Sequence, residues 1–187
     1  MNYQIRKAKI NECSQIKELQ EKVHFKNVSD EEKEKEGFVS LETKISLIRK
    51  LSDEIGIIVA ISEGKVIGYE MPIGLNNLSE SPLLQQVYDD ILKLKYDGKK
   101  LSEYRVIIEG QICVKKEHGG KGIAKELHQK FMELLKPNYD LIITGVSKNN
   151  PRSMHVHLKK MGFSILNKSS DDEGEWYVII QDLRKLK

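Results

Sequence analysis

A mixed α/β (or α+β) fold, one sheet with helices on both faces, is predicted by three observations. β-branched runs alternate with amphipathic helical runs along most of the chain. The run "DLIITGV" (140–146) follows a helix and is almost wholly apolar, as a strand covered on both faces would be. The chain then closes with one more helix and a pair of strands. In order, "YQIRKAKI" (3–10) reads as the first strand, followed by a helix near 12–23 with Asn11 placed to cap it. The apolar positions Cys13, Ile16, Leu19 and Val23 of that helix keep helical spacing. "NVSDEEKEKEGF" (27–38) is a charge-rich loop or short helix, and "LETKISLIRKL" (41–51) a second amphipathic helix. "GIIVAI" and "VIGYEMP" are strands joined by "SEGK", a hairpin with Gly64 at its turn. A long insert, 74–102, carries the helical stretch "SPLLQQVYDDILKLKY" with Pro82 in its first turn. "YRVIIEGQICV" (104–114) is a strand leading into a helix at 123–135. In "NNPRSMHVHLKKMGF" (149–163) Asn150 is a good N-cap, Pro151 fits the first helical position and Gly162 ends the helix. Met154, Leu158 and Met161 form its expected buried stripe. "FSILNK" and "EWYVIIQDL" close the chain as a hairpin around "SSDDEGE". No repeat, low-complexity segment or linker divides the chain, so 1–187 is expected to be one domain.

Gly119, Gly120 and Gly122 stand between the strand at 104–114 and the helix whose stripe is Ile123, Leu127, Phe131, Leu134 and Leu135. Glycine loses more backbone entropy on ordering than any other residue, so three at a helix start carry a cost. A helix start offers unpaired N–H groups and the positive end of the dipole, and glycines let a bulky anion approach them. Lys115, Lys116, Lys121 and Lys125 add positive charge around the turn. The turn reads as a phosphate or pyrophosphate cradle, or else as a ligand-free strand-to-helix loop. It is not the Gly-x-x-x-x-Gly-Lys-Ser/Thr loop, and the dinucleotide pattern Gly-x-Gly-x-x-Gly fails at Lys125.

With 39% hydrophobic and 32% charged residues the chain has the composition of a soluble globular protein rather than a disordered one. A net charge of +3 with interspersed signs, and no aromatic stacking platform, argues against nucleic-acid binding. No apolar run is long enough to span a bilayer, and "MNYQIRKAKI" lacks the apolar core of a secretory signal. Two cysteines, Cys13 and Cys113, fit a reduced cytoplasmic protein with no membrane partner. Cys113 is a buried inert thiol or, less simply, a nucleophile without an activating partner. No His/Cys/Asp cluster has metal-ligand spacing, so no metal is expected.

The element order and two separated motifs resemble the GNAT superfamily of acyl-CoA-dependent N-acetyltransferases. Its main signature, Arg/Gln-x-x-Gly-x-Gly/Ala after the fourth strand, reads Gly119-Gly120-Lys121-Gly122-Ile123-Ala124 here. Its second, an Asn-led helix ending in Gly-Phe, reads "NPRSMHVHLKKMGF". The likeness spans nearly the whole chain and is weakest across 24–50 and 74–104. It implies a mostly antiparallel central sheet that splays between a parallel fourth and fifth strand, with Gly110 as a bulge opening the splay. It implies acetyl-CoA as co-substrate, its pyrophosphate on Gly120, Lys121, Gly122, Ile123 and Ala124, with Gly119, Lys125 and Asn150 alongside. Ile112, Cys113 and Val114 would pair through their backbone with the pantetheine arm as an added strand does.

The resemblance further implies acetyl transfer to a primary amine, on a small molecule or a peptide, by direct attack. That reaction needs a base, a polarised carbonyl and an acid for the leaving thiolate. Glu109 is the nearest candidate base, with Glu70 on the preceding strand as a second. Two departures matter: Gly119 stands where Arg or Gln is usual, and the usual acidic Tyr is missing. Counting from Asn150 puts the acid position at His157, and counting back from Gly162-Phe163 puts it at Leu158. One residue is inserted between the landmarks, which a bulged helix turn would absorb. These departures leave a non-catalytic acyl-CoA-binding sensor as the alternative. Asp171, Asp172, Glu173 and Glu175 at the last hairpin are either a solvated tip or a field that attracts a cationic amine. A monomer and a homodimer both remain open.

Overall fold

The computed structural model describes residues 2–80, 82–171 and 174–186. From the N-terminus run β1 (Gln4–Lys7), α1 (Cys13–Val23), α2 (Asp30–Glu36), α3 (Ile45–Glu54), β2 (Ile58–Ser62) and β3 (Lys65–Ile73). Then follow α4 (Pro82–Ile91), β4 (Lys95–Tyr96), β5 (Lys99–Lys100), β6 (Val106–Val114), α5 (Ile123–Leu135) and β7 (Leu141–Ser147). α6 (Pro151–Val156) continues as a π-turn over His157–Met161, and β8 (Ser164–Asp171) and β9 (Gly174–Asp182) end the fold. Seven strands form one sheet in the order β1-β2-β3-β6-β7-β9-β8, and β4 pairs with β5 in a separate ribbon. Neighbours in the large sheet are antiparallel except β6 and β7, the fourth and fifth of its strands.

Both faces are covered, because successive strand residues point to opposite sides. Ile107, Ile142 and Ile179 pack under Leu127 and Phe131 of α5, with Met161 beside them. Ile108, Ile143 and Tyr69 pack against Ile16 of α1 and Ile48 of α3. The β2–β3 turn is made by Glu63 and Gly64 at φ 50° and 74°, the paired left-handed geometry of a tight hairpin.

Two local readings are corrected, and one left open is resolved. Asn11 does not cap α1: a short 3-10 turn, Ile10–Glu12, precedes it and starts at Lys9. Glu12 is buried, accepts the Lys9 N–H at 2.8 Å and pairs with Arg6 at 2.6 Å, which holds the entry of the helix. The helix of the insert ends at Ile91 rather than running to Tyr96, because Asp97 and Gly98 at φ 51° and 83° fold 95–100 into a hairpin. The charge-rich segment forms α2, whose N-terminus Ser29 and Glu32 close as a reciprocal capping box.

Candidate active site

The sheet opens where expected. β6 and β7 pair only at Val106–Leu141, Ile107–Ile142 and Ile108–Ile143; beyond that they diverge. β7 continues along β9 to Ser147, and β6 continues along β3 to Val114, so the edges of β6 and β7 facing each other are left unpaired. Gly110 is the extra residue of a β6 bulge, since Met71 pairs with Gln111 and Pro72 with Glu109. A Cβ on Gly110 would lie 2.6 Å from the Ile73 side chain, so no larger residue fits. Downstream of this bulge Cys113 turns toward the α1 face of the core, while Ile112 and Val114 turn toward α5. Burial pushes the Cys113 thiol up to about 12, which makes it inert.

The glycine loop has the features of an anion cradle. Gly120 and Gly122 have φ of 72° and 85°, and Gly119 is extended at −62°. Gly122 begins α5, and the Glu126 N–H to Gly122 carbonyl bond, 3.2 Å, is the first of the helix. Among the described residues the N–H groups from Gly120 to Lys125 have no acceptor within the protein. A Cβ on Gly120 would meet nothing within 4 Å, so the space above the loop is open. Lys121 folds back to donate to the Glu117 carbonyl at 2.8 Å, and Lys116 pairs with Glu32. Ile123 buries its side chain in the core, leaving only its backbone to the loop. Free N–H groups over open space, next to an unpaired strand edge, suit a pyrophosphate joined to an extended amide-bearing arm.

The inserted residue of the second motif is taken up by the π-turn at His157–Met161. His157 is thereby buried, and Leu158, expected in the buried stripe, is only partly covered. The His157 imidazole reaches Glu109, which is 2% exposed, with Nε2 3.1 Å from Oε2 and 3.2 Å from Oε1. On its other side Nδ1 lies 2.8 Å from the Ser153 carbonyl and 3.2 Å from the Ser153 hydroxyl. A carbonyl only accepts, so Nδ1 carries a proton. Burial works against charge on both groups, but each overrides it for the other. His157 is raised above the usual histidine value by Glu109, and Glu109 is lowered below the usual carboxylate value by His157. The candidate acid and base are thus one buried ion pair.

Sequence reasoning missed a second pair behind the first. Glu70 on β3 and His128 on α5 are 0% and 1% exposed, and His128 Nδ1 lies 2.7 Å from Glu70 Oε1. His128 Nε2 faces Gln181 Oε1 at 2.8 Å, and the Gln181 amide nitrogen donates to the Met161 carbonyl at 2.6 Å. One signal was available: His128 is four residues after Ala124 and three before Phe131, on the flank of the helix's apolar stripe.

A roof over the cleft is tied down at both ends. Asn150 accepts the Ser153 N–H at 3.1 Å and donates from Nδ2 to the Phe38 carbonyl at 2.9 Å, so its side chain is committed to protein partners. Gln111 donates to the Leu41 carbonyl, while its own oxygen accepts from Gln20 at 2.7 Å and Tyr69 at 2.8 Å. Phe38 and Leu41 from this segment line one cleft with Glu109, Thr144, Ser153 and His157. Asn150→Ala removes a cap and the roof anchor together, each about 1 kcal/mol. It should lower the melting temperature by about 2–4 °C per kcal/mol in a chain of this size. An unchanged thermal transition would show the roof is held elsewhere. Of the acidic hairpin tip, Asp172 and Glu173 lie outside the described residues, as does the Asp171 side chain, and Glu175 pairs with Lys148.

No curated protein matches the chain at the level of sequence. A solved GNAT-family acetyltransferase from Streptococcus agalactiae superposes with a TM-score of 0.66 at 21% identity, over 99% of this chain and 96% of that one. YncA of Salmonella typhimurium, a putative acetyltransferase solved with acetyl-CoA, superposes at 0.65 and 15% identity, over 100% and 97%. An N-acetyltransferase from Staphylococcus aureus gives 0.63 at 18%, over 98% and 99%. At these identities the superpositions establish the fold. The family model of the acetyltransferase (GNAT) family matches residues 15–163. The chain belongs to that family and is a GNAT-type acetyltransferase.

Proposed function

We propose that the chain, acting as one domain, transfers the acetyl group of acetyl-CoA to a primary amine by direct attack, with Glu109 as base and His157 as acid. The observation that carries this reading is the buried Glu109–His157 pair at the cleft where the sheet splays. Acetyl-CoA supplies a thioester, an acyl group already joined to a leaving sulfur. The N–H groups of Gly120 to Ala124 would hold its phosphates, and the free edge of Ile112 to Val114 would pair with the amides of its arm.

Glu109 reaches the cleft from β6, at the point where β7 parts from it, and is ionised by its partner. A carboxylate so placed accepts a proton from the amine as the new C–N bond forms. The C–S bond breaks and the sulfur needs one proton in return. His157 holds that proton on Nδ1, next to the Ser153 hydroxyl, which also lines the cleft and can pass it on. Nδ1 then takes a proton back from solvent along the same Ser153 hydroxyl, Glu109 releases the amine's proton to solvent, and the ion pair is restored. Each turnover moves one proton from nitrogen to sulfur, with no covalent enzyme intermediate. The acceptor enters beneath the Phe38–Leu41 roof and is a small-molecule or peptide amine.

A screen of acetyl-CoA with alkylamines, arylamines and peptides, read by release of free thiol and by mass of the product, tests this function. Thiol release that depends on amine, with a matching acetamide, is expected. Tight acetyl-CoA binding without turnover of any amine would replace the reading with that of an acyl-CoA sensor.

A further inference from the structure

The two buried His–Glu pairs abut, and their hydrogen-bond bookkeeping does not close with ordinary protonation. His128 Nε2 faces an amide oxygen and His157 Nδ1 faces a carbonyl, so each imidazole has one N–H fixed in place. Each presents its other nitrogen to a carboxylate, His128 to Glu70 and His157 to Glu109. One ligand-type atom from each of Glu70, Glu109 and His128 lies within 4.8 Å of the others. The remaining oxygen of Glu70, Oε2, is buried and has no donor. A buried carboxylate oxygen without a donor is costly. The cost vanishes if Glu70 is neutral and donates to Glu109, a contact that also helps to hold Glu109 ionised.

We propose that Glu70 is a positioning residue for the acetyl transfer: the proton it holds beside Glu109 decides whether Glu109 can accept one from the amine. The inference rests on the reading of Glu109 as the base. With Glu70 protonated, Glu109 accepts hydrogen bonds from both His157 and Glu70 and is at its least basic. When Glu70 loses that proton, a second negative charge stands next to Glu109 and raises its proton affinity. The groups facing Glu70 are few. α5 presents His128, β6 presents Glu109, and His157 comes from the end of α6; β2 and β9 present Ile58 and Gln181, neither ionisable.

The direction of control follows. Burial, the largest influence, lifts the Glu70 carboxyl to about 7, with Glu109 adding to the rise and His128 opposing it. Burial alone would lower His128, but Glu70 raises it to about 9, so it is cationic when Glu70 titrates. The transfer is therefore released as pH rises through the neutral range. A metal ion is a poor occupant of the same cluster. The 2.7 Å between His128 Nδ1 and Glu70 Oε1 suits a shared proton, and is too short for two ligands held tetrahedrally about 2.0 Å from one zinc.

The test is the pH profile of kcat/KM with a weakly basic arylamine, which stays neutral across the range. Wild type is expected to gain about tenfold per pH unit up to a midpoint near 7, then level off. Glu70→Gln, a permanent donor of the same shape, should flatten that limb at the low-activity level. His128→Gln removes the cation that favours ionised Glu70 and should move the midpoint to higher pH, a shift that mere misfolding does not produce. A Glu70→Gln profile with the wild-type limb overturns the proposal. A second readout needs no turnover: NMR titration of protein labelled at glutamate carboxyls and histidine ring nitrogens. One carboxyl titrating near 7, absent in Glu70→Gln and accompanied by His157 shifts with the same midpoint, supports the proposal. No such carboxyl, or a His157 signal indifferent to it, overturns it. If the titration is found but no amine is acetylated, the functional reading fails and the coupled pair stands.

Discussion

Glu109→Gln should lower kcat for amine acetylation by about 100- to 10,000-fold while leaving acetyl-CoA affinity nearly unchanged. Glutamine keeps the volume, and its amide oxygen can still accept the His157 N–H, so the buried cluster loses charge rather than shape. What it cannot do is take a proton. The split between kcat and binding separates this from a packing defect, which would disturb both. The companion change, His157→Ala, is expected to act differently. It leaves a 2% exposed Glu109 carboxylate without its cation, and breaking a buried pair in that way costs about 3–5 kcal/mol. Its activity must therefore be measured well below its lowered melting temperature. Wild-type kcat in a folded Glu109→Gln protein would remove Glu109 from the reaction.

The second large effect is on donor binding. Gly122→Val should weaken acetyl-CoA by more than about tenfold, or about 1.4 kcal/mol. Gly122 starts α5 at φ 85°, where a β-branched residue is strained, and its Cβ would meet nothing nearer than Glu126 Oε1 at 4.0 Å. The added side chain thus projects into the open space above the free N–H groups. Strain alone could distort the loop, so Gly64→Val is the control. Gly64 has a similar φ, 74°, and equally open surroundings, but sits in the β2–β3 hairpin away from the cleft. Calorimetry should find acetyl-CoA affinity lost in the first variant and kept in the second. Equal affinities in both would place the donor phosphates elsewhere.

What could be read from the sequence was what local pattern encodes. The glycine loop, the apolar β7 and the Asn150 cap each announce themselves within a few residues, whereas the bulge at Gly110 is expected only through the family resemblance. Against the family's second motif the extra residue between Asn150 and Gly162 is countable, and so a bulged turn is expected at His157. The Glu70–His128 pair was not legible, because its members are 58 positions apart and meet only through the packing of α5 on β3. The roof escaped for the same reason: Phe38 is held by Asn150, 112 positions away. Its segment has no periodicity of its own, since its order comes from contacts with β6 and α6. The β4–β5 hairpin was a different kind of miss. Asp97-Gly98 is a strong turn signal, but it was overridden by the apolar spacing that carries α4 toward Tyr96.

The wide turn at the end of α6 also works as a slip joint. An α-helix turns about 100° per residue, so one surplus residue would swing everything after it out of alignment. Here the surplus is absorbed within the five residues His157–Met161, and the His157 carbonyl gathers the N–H groups of both Gly162 and Phe163. Upstream, rotation is set from the Asn150 end; downstream, from Phe163 in the core and β8 on β9. The slack between these two frames falls on Leu158, Lys159 and Lys160, the last two exposed. Small length changes there can be taken up at the surface without rotating the imidazole, so this stretch can drift in length while the chemistry it carries stays aimed.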